Sequence, residues 1–118
     1  MKIFIIYFFT LVFLNTIYSQ IYYIEKNSDK IVVYGYGGRK ISSMYLSKEQ
    51  FIGAGCDFFV IKSYNKLTTF NEKCQKISIL YLSPKMEVLY VIGQGIVIKN
   101  GSRIEVYDKY CKKLFNVY

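Results

Sequence analysis

The order of apolar and charged positions repeats three times along the chain. In residues 60–81 an apolar run is followed by a cation, three polar or small residues, a second cation and another apolar run. The same order begins at Ile24, 36 residues earlier, and at Val97, 37 residues later. A spacing that keeps cations and apolar residues in phase indicates one supersecondary unit used three times.

Every copy predicts a β-hairpin, because its apolar runs are rich in Val, Ile, Tyr, Phe and Thr and are bounded by turn residues. The loops are predicted to have three residues, at 27–29, 63–65 and 100–102. In the third copy a two-residue turn at Asn100-Gly101 is an alternative, and it would shift the register by one residue. A third strand is predicted at 40–47, 76–83 and 113–118, and a fourth strand that bends at paired glycines follows in the first two copies.

Three like units bury their apolar faces best around a common axis. The predicted fold is all-β, with three internal repeats of about 36–37 residues in a pseudo-threefold, β-trefoil-like barrel, complete or incomplete. A β-prism and a Greek-key sandwich are the alternatives. The third copy lacks a fourth strand, so residues near 17–21 fill the gap or the barrel stays open. The repeats are placed at about 21–57, 58–94 and 95–118, within one β domain at 20–118.

Residues 1–19 have the three parts of a secretory signal peptide. Lys2 is a short basic region, residues 3–14 are apolar except for one threonine, and Ser19 suits the position before the cut. An uncleaved anchor is the alternative, but Asn15 interrupts the apolar run well short of the roughly 20 residues that cross a bilayer. The protein is therefore predicted to be secreted and extracellular, without stable membrane insertion after cleavage.

The mature chain is basic, and it carries an odd number of cysteines. Of the 16 Lys and Arg, Lys2 is lost, so 15 − 8 leaves a charge of +7. Such a charge attracts acidic glycans or acidic proteins, although solubility alone also accounts for it. Among the three possible pairings we expect a Cys56–Cys74 disulfide, which leaves Cys111 as a free thiol or as the link of a disulfide-bonded dimer.

Catalytic chemistry is poorly supported by the residue types present. The chain has no histidine, so no serine or cysteine nucleophile can have an imidazole base. Three scattered cysteines do not match zinc-ligand spacing. We therefore expect no enzyme activity, no catalytic residue, no metal and no cofactor.

The candidate ligand-binding residues are cations and tyrosines near the predicted loops. With three-residue loops, Lys26 faces Lys30, and the other two hairpins place their cations in the same way. Three recurrences of an unfavourable like-charge pair indicate either duplication or three equivalent anion-binding tips. The predicted binding residues are Lys26, Lys30, Lys62, Lys66, Lys99, Arg103, Tyr36 and Tyr64. Asn100, in Asn-Gly-Ser, is a glycosylation acceptor at a hairpin tip.

These features predict a small secreted, non-enzymatic binding module that recognises an acidic glycan or an extracellular protein surface. Loop tyrosines beside lysines would also suit single-stranded nucleic acid, but secretion argues against that partner. A structural, self-associating extracellular protein and a secreted enzyme inhibitor are the alternatives.

Overall fold

The computed structural model describes residues 20–117, and the predicted signal peptide lies outside them. The described chain is all-β, as predicted, and has one short 3₁₀ turn at Tyr36–Gly38. Within this range no helix is long and apolar enough to cross a membrane. The eleven strands are β1 (Tyr23–Lys26), β2 (Lys30–Tyr34), β3 (Lys40–Tyr45), β4 (Gln50–Ala54), β5 (Phe58–Ser63), β6 (Lys66–Asn71), β7 (Lys76–Tyr81), β8 (Met86–Ile92), β9 (Gly95–Asn100), β10 (Arg103–Tyr107) and β11 (Lys113–Val117).

The strands form three antiparallel sheets, each of which follows the chain in order. The first sheet contains β1–β3, the second β4–β7 and the third β8–β11. Within each sheet every strand pairs with its neighbours in sequence, so each sheet is a meander. The long return connection that defines a Greek key is not present in any of the three sheets that residues 20–117 form. The predicted fourth strands exist as β4 and β8, but they pair with β5 and β9 and therefore open the next sheet.

The central hairpins of the three sheets share one register. Lys30 lies opposite Asn27, Lys66 opposite Ser63 and Arg103 opposite Asn100, so the loops have two residues, at 28–29, 64–65 and 101–102. The predicted three-residue loops were therefore one residue too long, and the alternative two-residue turn at Asn100-Gly101 was placed one residue too early. The next strand shifts register at the same relative place in each sheet, after Val33, Thr69 and Val106.

The two faces of each sheet can be defined by this shared register. The front face carries Ile31, Leu67 or Ile104, and the back face carries the following residue, Val32, Thr68 or Glu105. Neighbouring residues along a strand point to opposite sides, whereas residues directly opposite each other share a side.

The sheets stack face to face and enclose two separate cores. The front of the first sheet packs on the back of the second through Ile31 and Val33 against Phe59 and Ile61. The front of the second sheet packs on the back of the third through Phe58, Val60 and Leu67 against Ile96 and Ile98. The second sheet is therefore buried on both faces, and its strand β5 has four consecutive buried residues, at 58–61.

The predicted trefoil-like barrel is not formed, since in residues 20–117 the three sheets do not close around one interior. The reason lies in β5, whose continuous apolar run Phe58-Phe59-Val60-Ile61 needs cover on both sides. A barrel covers only the inner side of its sheet, whereas a stack covers both sides of the middle one.

The predicted Cys56–Cys74 disulfide is also absent, because all three cysteines are free thiols. The Cys74 Sγ points at the first sheet, 3.1 Å from the Ser42 Oγ. Cys56 lies exposed in the β4–β5 loop. Cys111 is half-buried, so Cys56, and not Cys111, is the accessible thiol.

Candidate functional site

The three central hairpin turns lie along one edge of the stack, which we call the hairpin edge. The connections between sheets, at 46–49 and 82–85, run along it. Leu46 N donates to Asp29 O at 2.7 Å, and Leu82 N donates to Asn65 O at 2.6 Å. Gly101 N donates to Lys85 O at 3.1 Å, which ties the third turn to the connection that leaves the second. The structure thus brings the predicted tip residues to a common edge.

The two cations of each hairpin do not face one another, contrary to the prediction. Lys26 lies opposite Ile31, Lys62 opposite Leu67, and Lys99 opposite Ile104, all on the front faces. The second cations, Lys30, Lys66 and Arg103, lie on the back faces. The physical reason is the two-residue loop, because a one-residue change in register moves a side chain to the other side of its strand. The like-charge repulsion expected within each pair is therefore relieved.

The cations differ in their surroundings. The Lys30 Nζ lies 5.5 Å from the centre of the Tyr45 ring. The Arg103 Nη2 lies 3.8 Å from the Glu105 Oε2. Lys26 and Lys99 are exposed, whereas Lys62 and Lys66 are half-buried beside clefts. Of the six, the lysines of the second sheet are thus the ones held next to a concave surface.

Lys62 borders a cleft of about 250 Å³ between the second turn and the connection to the third sheet. Tyr64 and Asn65 line one side, and Ser83 and Met86 line the other. None of the described residues around this cleft is acidic. The cleft therefore offers one cation, several polar groups and an aromatic ring without a competing carboxylate.

Tyr64 is held in an unusual conformation at this cleft. Its φ is 57°, in the left-handed region that costs a non-glycine residue roughly 1 kcal/mol, yet its side chain is 85% exposed. The matching residue of the third turn is Gly101, with φ 63°. An exposed tyrosine at a position that suits glycine buries little surface within the fold, and strain of this kind concentrates at functional sites.

Lys66 borders a second cleft, of about 140 Å³, between the first and second sheets. Here Glu49 is a neighbour, and its Oε2 accepts a hydrogen bond from Ser47 N at 2.7 Å. Backbone hydrogen bonds, its own first and then that of Ser47, lower the pKa of Glu49. A charged carboxylate at this cleft makes it a weaker anion site than the cleft at Lys62.

Tyr36 and Asn100 do not join the Lys62 cleft. Tyr36 lies in the β2–β3 turn, at the opposite end of its sheet from the hairpin edge, and it is 63% exposed. Asn100 is half-buried, and its Nδ2 donates to the Glu105 Oε1 at 3.1 Å. The predicted glycosylation acceptor therefore already uses its amide nitrogen within the fold.

Glu105 is an important residue that the sequence analysis did not single out. Its side chain is 2% exposed on the back of the third sheet. Tyr107 OH donates to its Oε1 at 3.0 Å, and the Lys113 Nζ lies 3.4 Å from its Oε2. Burial acts to raise the pKa of Glu105, but the hydrogen bonds from Asn100, Tyr107 and Lys113 outweigh it, and the pKa is lowered. Burial and the bond to Glu105 raise the pKa of Tyr107 to about 12.

This network lies within the third sheet, on the face that packs against the second sheet, and it is not an open site because its donors surround the carboxylate. A separate ion pair, 2.7 Å from the Lys109 Nζ to the Asp57 Oδ2, joins the second and third sheets. No group of three or more His, Cys, Asp or Glu in the described part of the chain could hold a metal ion.

No protein-family model matches this chain, and no curated protein matches it in sequence.

Proposed function

We propose that this protein is a small secreted, non-enzymatic binding module that engages an acidic glycan, or an acidic protein surface, through its hairpin edge. The observation that carries the proposal is Tyr64, an exposed aromatic ring held in a left-handed turn beside Lys62. The ring is placed to stack on a sugar or a partner surface, and Lys62 is placed to pair with an acidic substituent.

The spacing of the three turns supports an extended ligand. Stacked sheets lie roughly 10 Å apart, so the three turns span about 20 Å along the edge. The six candidate cations are distributed along that length, with Lys48 and Lys85 in the connections between them. A chain that carries several anions would contact more than one turn at once. Such contacts reinforce one another when the spacing of the anions along the ligand matches the spacing of the turns.

The proposal assigns the edge no catalytic role, cofactor or nucleic-acid partner. We also propose that the three sheets are copies of one module, and the recurrence of hairpin register and of register shifts at intervals of 36 and 37 residues supports this. An inhibitor would be the same module with an acidic enzyme surface as its ligand.

Heparin-affinity chromatography tests the edge directly. We expect Lys62→Ala combined with Lys66→Ala to elute at clearly lower salt than the wild type, because two cations that would release counterions are lost. The matched control is Lys73→Ala with Lys76→Ala, which removes the same charge from the same sheet but at the opposite end. Equal shifts for both pairs would show that net charge alone binds heparin, and would contradict the proposed edge.

A self-associating extracellular protein is the second candidate function, and a specific observation favours it. The front of the third sheet is apolar and exposed, with Tyr90 53%, Phe115 54% and Val117 44% accessible. Large exposed apolar side chains that are grouped on one sheet face are typical of an interaction surface.

A further inference from the structure

We propose that the front of the third sheet binds the back of the first sheet of a second copy of this chain. The inference rests on the second candidate function and names its partner. The two surfaces are the end faces of the stack, here called the front end and the back end. Inside the chain the same two kinds of face are already joined twice, front to back, so the new contact would continue an existing interface.

The front end matches a face that is covered elsewhere in the chain. In the first sheet, Ile31 and Val33 occupy the front and pack on the second sheet. The corresponding front residues of the third sheet, by strand register, are Ile104 and Val106. The same apolar pair is therefore buried at the first junction and only half-buried at the front end, where no described residue forms a further sheet above it.

Around this pair the front end is more apolar than the corresponding positions on the front of the second sheet. Phe115 lies opposite Val106, where the second sheet has Ser78 opposite Thr69. Tyr90 lies opposite Val97, where the second sheet has Gly53 opposite Val60. A face adapted to water would carry polar replacements at these positions, but the front end carries large apolar ones.

The back end carries a stacked aromatic pair like the one that covers the front of the first sheet. On the back of the second sheet, Phe59 and Phe70 stack with ring centres 5.3 Å apart and pack on the first sheet. The register places Tyr23 and Tyr34 at the same positions on the back of the first sheet, and their rings stack at 4.5 Å. Tyr23 is 44% exposed. The tyrosine pair of one copy can therefore seat on Ile104 and Val106 of another, as the phenylalanine pair seats on Ile31 and Val33.

Polar contacts at the internal junctions follow the same direction. Ser42 in β3 contacts Cys74 in the turn of the next sheet at 3.1 Å, and Thr69 in β6 donates to Lys109 O in the turn of the sheet after that at 2.6 Å. Each junction thus joins the front of one sheet to the β-turn of the next sheet. Because front and back are different surfaces, the contact is head-to-tail, and it closes into a ring or continues as a chain.

Sedimentation velocity of the full chain, purified from a secreting host and kept reduced so that Cys56 cannot cross-link, tests the inference. The wild type should sediment faster as its concentration rises. Phe115→Lys at the front end and Tyr23→Lys at the back end should each hold the protein at the mass of one chain. Tyr81→Lys, at a more exposed tyrosine that lies on neither end face, is the control and should behave as the wild type. Circular dichroism verifies that each variant is folded.

Mixing the two monomeric variants provides the sharper result. The Tyr23→Lys chain retains an intact front end and the Phe115→Lys chain an intact back end, so the mixture should form a complex of one of each and nothing larger. If only one of the two substitutions makes the protein monomeric, two like faces are paired in the assembly, and the head-to-tail inference is overturned. An assembly unaffected by either substitution leaves the second candidate function standing but removes this interface, and a wild type that is monomeric throughout removes both.

Discussion

Tyr64 occupies a turn position whose counterpart in the third sheet is a glycine. Tyr64→Gly removes both the side chain and the strain of the left-handed conformation, whereas Tyr64→Ala removes the ring and keeps the strain. Comparing the two variants should separate the structural cost of Tyr64 from its proposed role in binding. We expect Tyr64→Gly to unfold at higher urea than Tyr64→Ala, by about 1 kcal/mol in the free energy of unfolding, because only glycine adopts positive φ without penalty.

Both Tyr64 variants should bind heparin more weakly than the wild type, since both lose the ring. A Tyr64→Gly variant that is more stable than Tyr64→Ala, while both variants bind more weakly than the wild type, is the combination that a strained binding residue predicts. Unchanged heparin elution in both variants would contradict a binding role for Tyr64, whatever the stability result.

Glu105 is a charged group held at the interface of the second and third sheets. Glu105→Gln should destabilise the fold by about 1–3 kcal/mol, because the bonds from Tyr107 and Lys113 lose their charged acceptor. Glu87→Gln is the matched control, since Glu87 is exposed on the same sheet and should change stability by no more than about 0.5 kcal/mol. Urea unfolding followed by circular dichroism measures both. Equal effects of the two substitutions would show that Glu105 has no special role.

The stability due to Glu105 should depend on pH in a defined direction. Its pKa in the folded state lies below the ordinary 4.5, so its contribution is complete above pH 4.5 and is lost as the pH falls through the lowered value. The difference between the wild type and Glu105→Gln should therefore shrink when unfolding is measured at low pH. A difference that stays constant on acidification would contradict the charged network.

Tyr107 should act at the other end of the pH range. Its pKa is raised from 10.0 to about 12, so folding favours its neutral form. The associated stability is complete below pH 10.0 and is lost as the pH rises toward 12. Tyr107→Phe should remove this alkaline dependence, measured by urea unfolding between the two values. An unchanged alkaline profile would assign the loss to other tyrosines.

The junction of β4 with β8 depends on two glycines. A Cβ added to Gly55 would lie 2.4 Å from Gly93 O and 2.4 Å from the Phe58 Cε1, whereas one added to Gly53 would lie 3.3 Å from the Val91 Cβ. We expect Gly55→Ala to destabilise the protein by about 1–3 kcal/mol, because backbone must move to admit the methyl group. Gly53→Ala should cost less, and thermal unfolding gives the comparison. An equal cost at the two positions would contradict the close packing at Gly55.

The strands themselves followed from the sequence, but their pairing did so only in part. Apolar runs bounded by turn residues predicted the central hairpins, and paired glycines marked the ends of β4 and β8. Loop length could not be fixed in this way, because Asn27, Ser63 and Asn100 can each form either the last ladder pair or the first loop residue of their hairpin. The choice made at these three residues decided the faces of all six cations. Glu105 was missed for a related reason, since its burial depends on cover from a different sheet.

The assembly of the three sheets was the least predictable feature. The repeat spacing was informative about each sheet but not about how sheets meet, and the predicted barrel was wrong. One signal was available in β5, where four apolar residues in succession do not alternate with polar ones. Such a run indicates a strand covered on both sides, which a single shared core cannot provide.

The stack has two cores, and methyl-labelled nuclear Overhauser spectroscopy on Ile, Leu and Val tests this most directly. We expect cross-peaks from Ile31 or Val33 to Ile61, and from Val60 or Leu67 to Ile96 and Ile98, with none between Ile31 and Ile98 in dilute monomer. Cross-peaks that connect Ile31, Leu67 and Ile98 as one cluster would place all three sheets around a common interior and would contradict the stacked architecture.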